Sequence, residues 1–206
     1  MDETSHPQVT ADEALHRLIE GNTRYREGHS RFTGLRPEML EELAHGQQPF
    51  ATILGCADSR VPPELIFDAV LGELFVIRVA GHVVSPEIAS SLQYAETHLG
   101  TPLFVVLGHE GCGAVKAALD SRMHGAQHRS RIQDLVDAIL PVLPDIDPAL
   151  PPAAQLSQMV EANVRATMRQ IAESPEGHAR LEAGRMMLVG AIYDITNGRV
   201  RLLDVV

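Results

Sequence analysis

The chain is 206 residues long, 45% hydrophobic and 21% charged, without tryptophan and with a formal charge of -10. That length and composition fit one domain whose core is built from Leu, Val, Ile and Ala. The acidic balance argues against nucleic acid, whose phosphates would repel it, and no apolar stretch reaches the length of a membrane span.

At the amino end the stretch "MDETSHPQVTADEALHRL" is acidic where a secretory signal needs a basic and then an apolar run, so a cytoplasmic location is expected. Thr10-Ala11-Asp12-Glu13 spells a capping box and predicts a helix with Leu15, Leu18, Ile19 and Tyr25 on one face. Pro37 predicts the start of a second helix, with Leu40 and Leu43 inward and Gly46 as its stop. Both helices precede the first strand. Residues 1–46 therefore read as a helical arm, and 50–206 as the α/β core of a single domain spanning 1–206.

Strands are predicted at "FATILG" (Phe50 to Gly55), "ELFVIRVAG" (Glu73 to Gly81) and "PLFVVLG" (Pro102 to Gly108), with a short helix over "VPPELIF" between the first two. Ser85-Pro86-Glu87 has the cap, first-turn proline and early acid of a helix that stops at Gly100. Another helix is predicted over Cys112 to about Met123. The proline-rich "ILPVLPDIDPALPPAA" reads as a loop between helices, the second running from Pro152 to about Ala172. The chain closes as a strand, an Asn197-Gly198 turn and a returning strand. The expected fold is α/β: a mostly parallel central sheet covered by helices, with an N-terminal helical arm and a C-terminal β-hairpin.

The chain has only two cysteines. Cys56 follows the first core strand in "LGCADSRVPPE", and Cys112 lies three residues after His109 in "LGHEGCGAVKAAL", beyond the third. In a reducing compartment such thiols are more often free, catalytic or metal-bound than bridged. In open parallel sheets, ligands bind beyond the carboxyl ends of strands, where strand order reverses. If the first and third strands are neighbours, Cys56, His109 and Cys112 converge there as a zinc-type donor set, with Asp58 the nearest carboxylate. Taken singly, a buried Cys, a His after a strand and an Asp58–Arg60 ion pair are each more often structural than functional. At corresponding ends of two strands they combine into a candidate site.

"CADSRVPPE", "FVIRVAGHVVSPE", "SLQYAETHLG" and "VVLGHEGCGAVKAAL" together resemble the β-class carbonic anhydrases, and the likeness runs from the first helix to the terminal strand. The resemblance implies reversible hydration of carbon dioxide to bicarbonate and a proton, with one Zn2+ per chain on Cys56, His109 and Cys112. It implies an active-site dyad of Asp58 and Arg60, with Asp58 a fourth metal ligand only in a closed state. Gln47, Phe75 and Tyr94 match substrate-pocket positions, Gln47 often coming from the neighbouring subunit, so a homodimer or higher even-numbered homo-oligomer is implied. Gly113 would offer its N–H to a substrate oxygen, and His98 matches a position proposed to relay protons. Arg78 and Tyr193 match two of three residues of a second anion site found in bicarbonate-inhibited members, but Ile53 stands where the third, a Trp, would be. The resemblance is therefore to the plant-like active-site subtype.

Two other readings use the same residues. One is hydrolysis of carbonyl sulfide or carbon disulfide on the same scaffold; the other is a closed, non-catalytic zinc module with Asp58 as fourth ligand. Retention of Arg60 and Gln47 argues against the structural module. A thiol oxidoreductase is disfavoured because the cysteines form no Cys-x-x-Cys pair.

Overall fold

In the computed structural model, residues 9–31, 37–129 and 131–206 are described. Residues 1–8, whose acidic character enters the expected location, and the link at 32–36 lie outside the described residues. Strands β1 (Ala51–Gly55), β2 (Leu74–Arg78), β3 (Leu103–His109), β4 (Met187–Tyr193) and β5 (Val200–Val205) form one sheet in the order β2-β1-β3-β4-β5. β1 pairs in parallel with β2 and β3, β3 in parallel with β4, and β5 returns antiparallel to β4. β1 and β3 are buried at every position, as strands covered on both faces must be. The α/β class, the parallel sheet and the closing hairpin are as expected.

Helices cover both faces. α7 (Pro152–Ala172) lies so close to one face that a Cβ at Gly108 would stand 2.6 Å from Val164 Cγ2, and one at Gly190 2.5 Å from Met168 Sδ. The alternate residues Val105, Val189 and Ala191 face the other side, where they line a cavity with Leu15 and Leu18 of α1 (Ala11–Glu27). No helix among the described residues is long and apolar enough to cross a membrane.

α1 carries the expected capping box: Glu13 N donates to Thr10 Oγ1 (3.2 Å) and Thr10 N to Glu13 Oε2 (2.9 Å). Its apolar face is partly covered within the chain, since Ala14 and Leu18 join the core while Ile19 stays 46% exposed. Asn22 ties the helix down, donating to Ile66 O (3.1 Å) and Gly198 O (2.9 Å) and accepting from Val200 N (2.9 Å). The second expected helix forms as α2 (Pro37–Ala44), but Leu40 does not point inward: it is 49% exposed, and α2 buries no residue. Leu43 does turn inward, packing so close to Gly72 that a Cβ there would stand 2.6 Å from Leu43 Cδ2.

One strand boundary moved, while the stop of the Ser85-capped helix at Gly100 holds. β2 ends at Arg78 rather than Gly81, because Ala80–His82 closes into a 3-10 turn with Gly81 at φ 64° and His82 at φ 44°. α4 (Pro86–Tyr94) starts on the Ser85 cap as expected, but its last turn, Ala95–Leu99, is π-helical before Gly100 ends it at φ 63°. The remaining helices are α3 (Pro63–Ile66), α5 (Gly113–His124), α6 (Arg131–Ile139) and α8 (Pro175–Glu182).

An ion cluster around the buried Asp68 joins α1 to the segment after α3. Asp68 Oδ2 accepts from Arg24 Nε (2.6 Å), and Oδ1 from Ser30 Oγ (2.8 Å) and Arg31 N (2.9 Å). Burial alone would raise the Asp68 carboxyl, but these donors outweigh it and hold it below the ordinary range. A depressed carboxyl contributes stability that is present above its unfolded value and lost as pH falls through its folded value. Asp68→Asn should therefore cost about 2 kcal/mol at neutral pH, roughly 4–8 °C in Tm for a chain of this size. The deficit should shrink in acid; a Tm unchanged at pH 7 by calorimetry would contradict this account.

Candidate metal centre and active site

The strand order reverses between β1 and β3, and the candidate residues gather at the carboxyl ends of these two strands. Cys56 is the residue after β1, His109 the last of β3, and Cys112 the N-cap of α5. All three are buried, and their ligand atoms lie within 4.8 Å of one another. The two Sγ atoms are 4.0 Å apart, too far for the ~2.05 Å of a disulfide. Two thiolates at ~2.3 Å from a tetrahedral zinc would be about 3.8 Å apart, so the spacing fits.

Proton positions support the same use. His109 Nδ1 lies 3.0 Å from Glu110 O, a carbonyl that can only accept, so Nδ1 carries the hydrogen. Nε2 is then a bare lone pair, and it is buried without a hydrogen-bond partner among the described residues. Such an orphan is costly unless it ligates a cation. The Cys56 thiol is pushed down to about 3, first by donation from Cys112, then against burial by His109 and the Gly81 N–H. Cys112 is pushed up by its Cys56 neighbour and by burial. An incoming cation would replace the one proton the pair retains. The donor set therefore fits a zinc ion.

Beside the triad, Asp58 is gripped by Arg60: Nε to Oδ1 at 2.9 Å, Nη2 to Oδ2 at 2.7 Å and the Arg60 N–H to Oδ1 at 3.0 Å. This bidentate grip, against some burial, holds the carboxyl well below the usual carboxylate range. With both oxygens engaged by Arg60, Asp58 lies outside the three-ligand group. Arg78, opposite Gly55 in register, fixes the loop that carries both residues, donating to Cys56 O (3.0 Å) and Asp58 O (2.5 Å). A positioning role for Arg78 escaped the sequence reading; an arginine ending the strand beside the motif was the available signal. At the start of α5, a Cβ on Gly113 would meet nothing within 4 Å, so space is open there.

The other candidates stand elsewhere in a single chain. Phe75 pairs in register with Thr52, three residues or about 10 Å before the level of Gly55. The Phe75 and Tyr94 ring centroids are 6.1 Å apart, and Tyr94 stacks on His98 at 4.7 Å. Gln47 is exposed in the loop before β1, a full strand length from Cys56. The triad and dyad thus sit at the carboxyl ends of the strands, and Gln47, Phe75, Tyr94 and His98 towards the amino ends. Of the second-anion-site positions, Ile53 is core, Arg78 is engaged with the loop, and the Tyr193 hydroxyl pairs with that of Tyr25 at 3.1 Å.

Fold and site together define a metal centre at the switch point of an α/β sheet. The carbonic anhydrase family model matches residues 51–200. Carbonic anhydrase 2 of Mycobacterium tuberculosis is 37% identical over 200 residues, covering 96% of this chain and 95% of that protein. The carbonic anhydrase of Mycolicibacterium smegmatis is 37% identical over 189 residues, covering 90% and 89%. Among solved structures, the β-carbonic anhydrase CcaA superposes with a TM-score of 0.73 at 31% identity, covering 92% of this chain and 87% of that one. A Coccomyxa β-carbonic anhydrase in complex with acetazolamide gives 0.73 at 28%, covering 93% and 87%. The chain belongs to the carbonic anhydrase family, in its β class.

Proposed function

We infer that this enzyme reversibly hydrates carbon dioxide to bicarbonate and a proton, using zinc held by Cys56, His109 and Cys112. The observation that carries this reading is the bare, buried His109 Nε2 among two thiols, beside an aspartate gripped by an arginine. Bound there, zinc supplies the Lewis acidity that makes water a nucleophile near neutral pH.

The rest is done by the chain. Arg60 holds Asp58 ionised and oriented, so that its carboxylate accepts a hydrogen bond and fixes the direction of the attacking water. The Gly113 N–H, at the positive end of α5, offers a donor to the oxygen on which charge develops. Gln47, Phe75 and Tyr94 of a second copy complete the apolar wall and polar rim, which requires a homodimer or a higher even-numbered homo-oligomer. Support comes from the edge position of β2 and from Tyr94 and Leu40, both about half exposed in one chain. His98, stacked on Tyr94, would relay protons from that same cluster. The engagement of Ile53, Arg78 and Tyr193 elsewhere favours the plant-like subtype over a bicarbonate-regulated one. Free, unbridged thiols suit a cytoplasmic setting.

One experiment tests the whole: metal analysis and stopped-flow CO2 hydration on a single preparation, diluted while light scattering follows its mass. One zinc per chain, hydration well above background and loss of activity with dissociation are expected. Background hydration in a zinc-replete sample would favour a structural zinc module. A fully active monomer would overturn the shared pocket.

A further inference from the structure

Behind the triad lies a buried polar group that the reaction does not use. His82 is fully buried, and Asn163 and Thr167 of α7 are nearly so. The two α7 residues are four apart and so share one face of the helix. Burying such groups is unfavourable unless their hydrogen bonds are made to a purpose.

Their bonds converge on one turn. Asn163 Nδ2 donates to Gly81 O at 2.9 Å and lies 3.0 Å from His82 Nε2. Since Gly81 O can only accept, the atom facing it must be the amide nitrogen, and its second hydrogen goes to Nε2. His82 is therefore neutral, with its proton on Nδ1, an atom without a partner among the described residues. Burial points the same way, pushing the His82 imidazolium down to about 4. Thr167 Oγ1 adds a longer bond to His82 O at 3.5 Å. α7 thus engages both carbonyls of two successive left-handed residues, Gly81 (φ 64°) and His82 (φ 44°). A left-handed histidine is uncommon and persists only where its surroundings hold it. Gly81 is confined as well, since a Cβ there would stand 2.9 Å from Ile139 Cδ1.

What the turn presents to the metal centre is the Gly81 N–H, which donates to Cys56 Sγ at 3.4 Å. A hydrogen bond to a thiolate fixes where the sulfur points and withdraws electron density from it. Groups behind a metal's ligands act on affinity in this way.

We propose that Asn163 is a positioning residue for the metal centre: by clamping the Gly81–His82 turn it aims the Gly81 N–H at Cys56 and so sets that ligand's orientation and donor strength. This rests on the reading of Cys56, His109 and Cys112 as metal ligands. It assigns a role to Asn163, a residue 51 positions in sequence from Cys112, the nearest ligand.

The test uses Asn163→Leu, which keeps the branched shape and the number of side-chain heavy atoms and removes the donor. Two quantities are read on the folded protein: zinc affinity by chelator competition, and the thiolate-to-cobalt charge-transfer band after cobalt replaces zinc. The variant should bind zinc about tenfold more weakly or worse, and its band should shift. A purely structural role would lower Tm yet leave both quantities at parent values. That result in folded Asn163→Leu overturns the proposal. If that variant does not fold, Asn163→Ala, smaller and also without a donor, is measured in the same two ways, and parent values in it overturn the proposal equally. A parent protein with no thiolate–cobalt band refutes the metal centre and the proposal with it. That outcome is distinct from a parent band which the variant leaves unmoved.

Discussion

Replacing Cys112 by serine should leave the purified protein without zinc and bring CO2 hydration down to the uncatalysed rate. Three protein ligands leave no redundancy, and this substitution removes a negative charge as well as a bond. Serine cannot substitute, because its hydroxyl stays protonated where a thiol would lose its proton to solvent on ligating a metal. The loss should exceed the ~10–100-fold typical of changes behind a metal's ligands. Cys112 caps α5 through its backbone alone, without a side-chain cap bond, so the helix should survive. The metal-free protein should therefore still fold, but without the zinc-dependent rise in Tm expected when a ligand binds only the native state. Metal analysis, stopped-flow hydration and calorimetry with and without added zinc check the three parts. Full zinc occupancy in Cys112→Ser would falsify the assignment of the centre.

Much of the fold was legible because it is written locally. The Thr10–Glu13 box, the Ser85-Pro86 start and the apolar runs of β1 and β3 each carry their own signal and fold as read. The triad was legible for the same reason: ligands immediately beyond strand ends follow the strands wherever they go. What escaped depends on distant partners. The end of β2 was overread because His82 adopts a left-handed φ that its residue type does not advertise, under the grip of Asn163, 81 residues on. Leu40 read as inward because a helical pattern reports an apolar face without saying which chain covers it. Gln47, Phe75 and Tyr94 match pocket positions in sequence, yet stand towards the other end of the sheet from Cys56 in one chain. In the proposed homo-oligomer a second copy would bring them together, and no pattern within a single sequence displays that geometry.

Arg60→Ala should depress activity by about 100-fold or more across the whole pH range, the scale expected when a reacting group is misplaced by about an ångström. Removing the guanidinium takes away two of the three bonds on the Asp58 carboxylate among the described residues, leaving the Arg60 backbone N–H at 3.0 Å. The freed carboxylate could then turn towards Cys56, His109 and Cys112 and would compete with water for a metal held there. The sign of the pH effect follows from the depressed carboxyl. Asp58 contributes stability above its unfolded value, lost only as pH falls through its lower folded value, so in the parent it does not titrate near neutrality. Without Arg60 its carboxyl returns towards the ordinary ~4, still ionised at pH 6, so the loss should not be confined to acid. A rise of parent activity with pH is then expected from the metal centre instead of from Asp58. Two thiolates and a neutral imidazole cancel the charge of Zn2+, so the pull on an entering water is weaker than at a three-histidine site. Activity should accordingly appear above the ~7 characteristic of such a site. Asp58→Asn separates the two contributions. The amide cannot close the site as a carboxylate would, but it also loses the charge-assisted grip of Arg60, so activity should fall without recovery of the acid limb. Stopped-flow profiles of the parent, Arg60→Ala and Asp58→Asn proteins from about pH 6 to 9 decide it. A flat parent profile would remove the metal-centred rise. An Arg60→Ala profile that merely shifts along the pH axis, keeping its maximum rate, would show that the arginine tunes a titration instead of holding the aspartate in place.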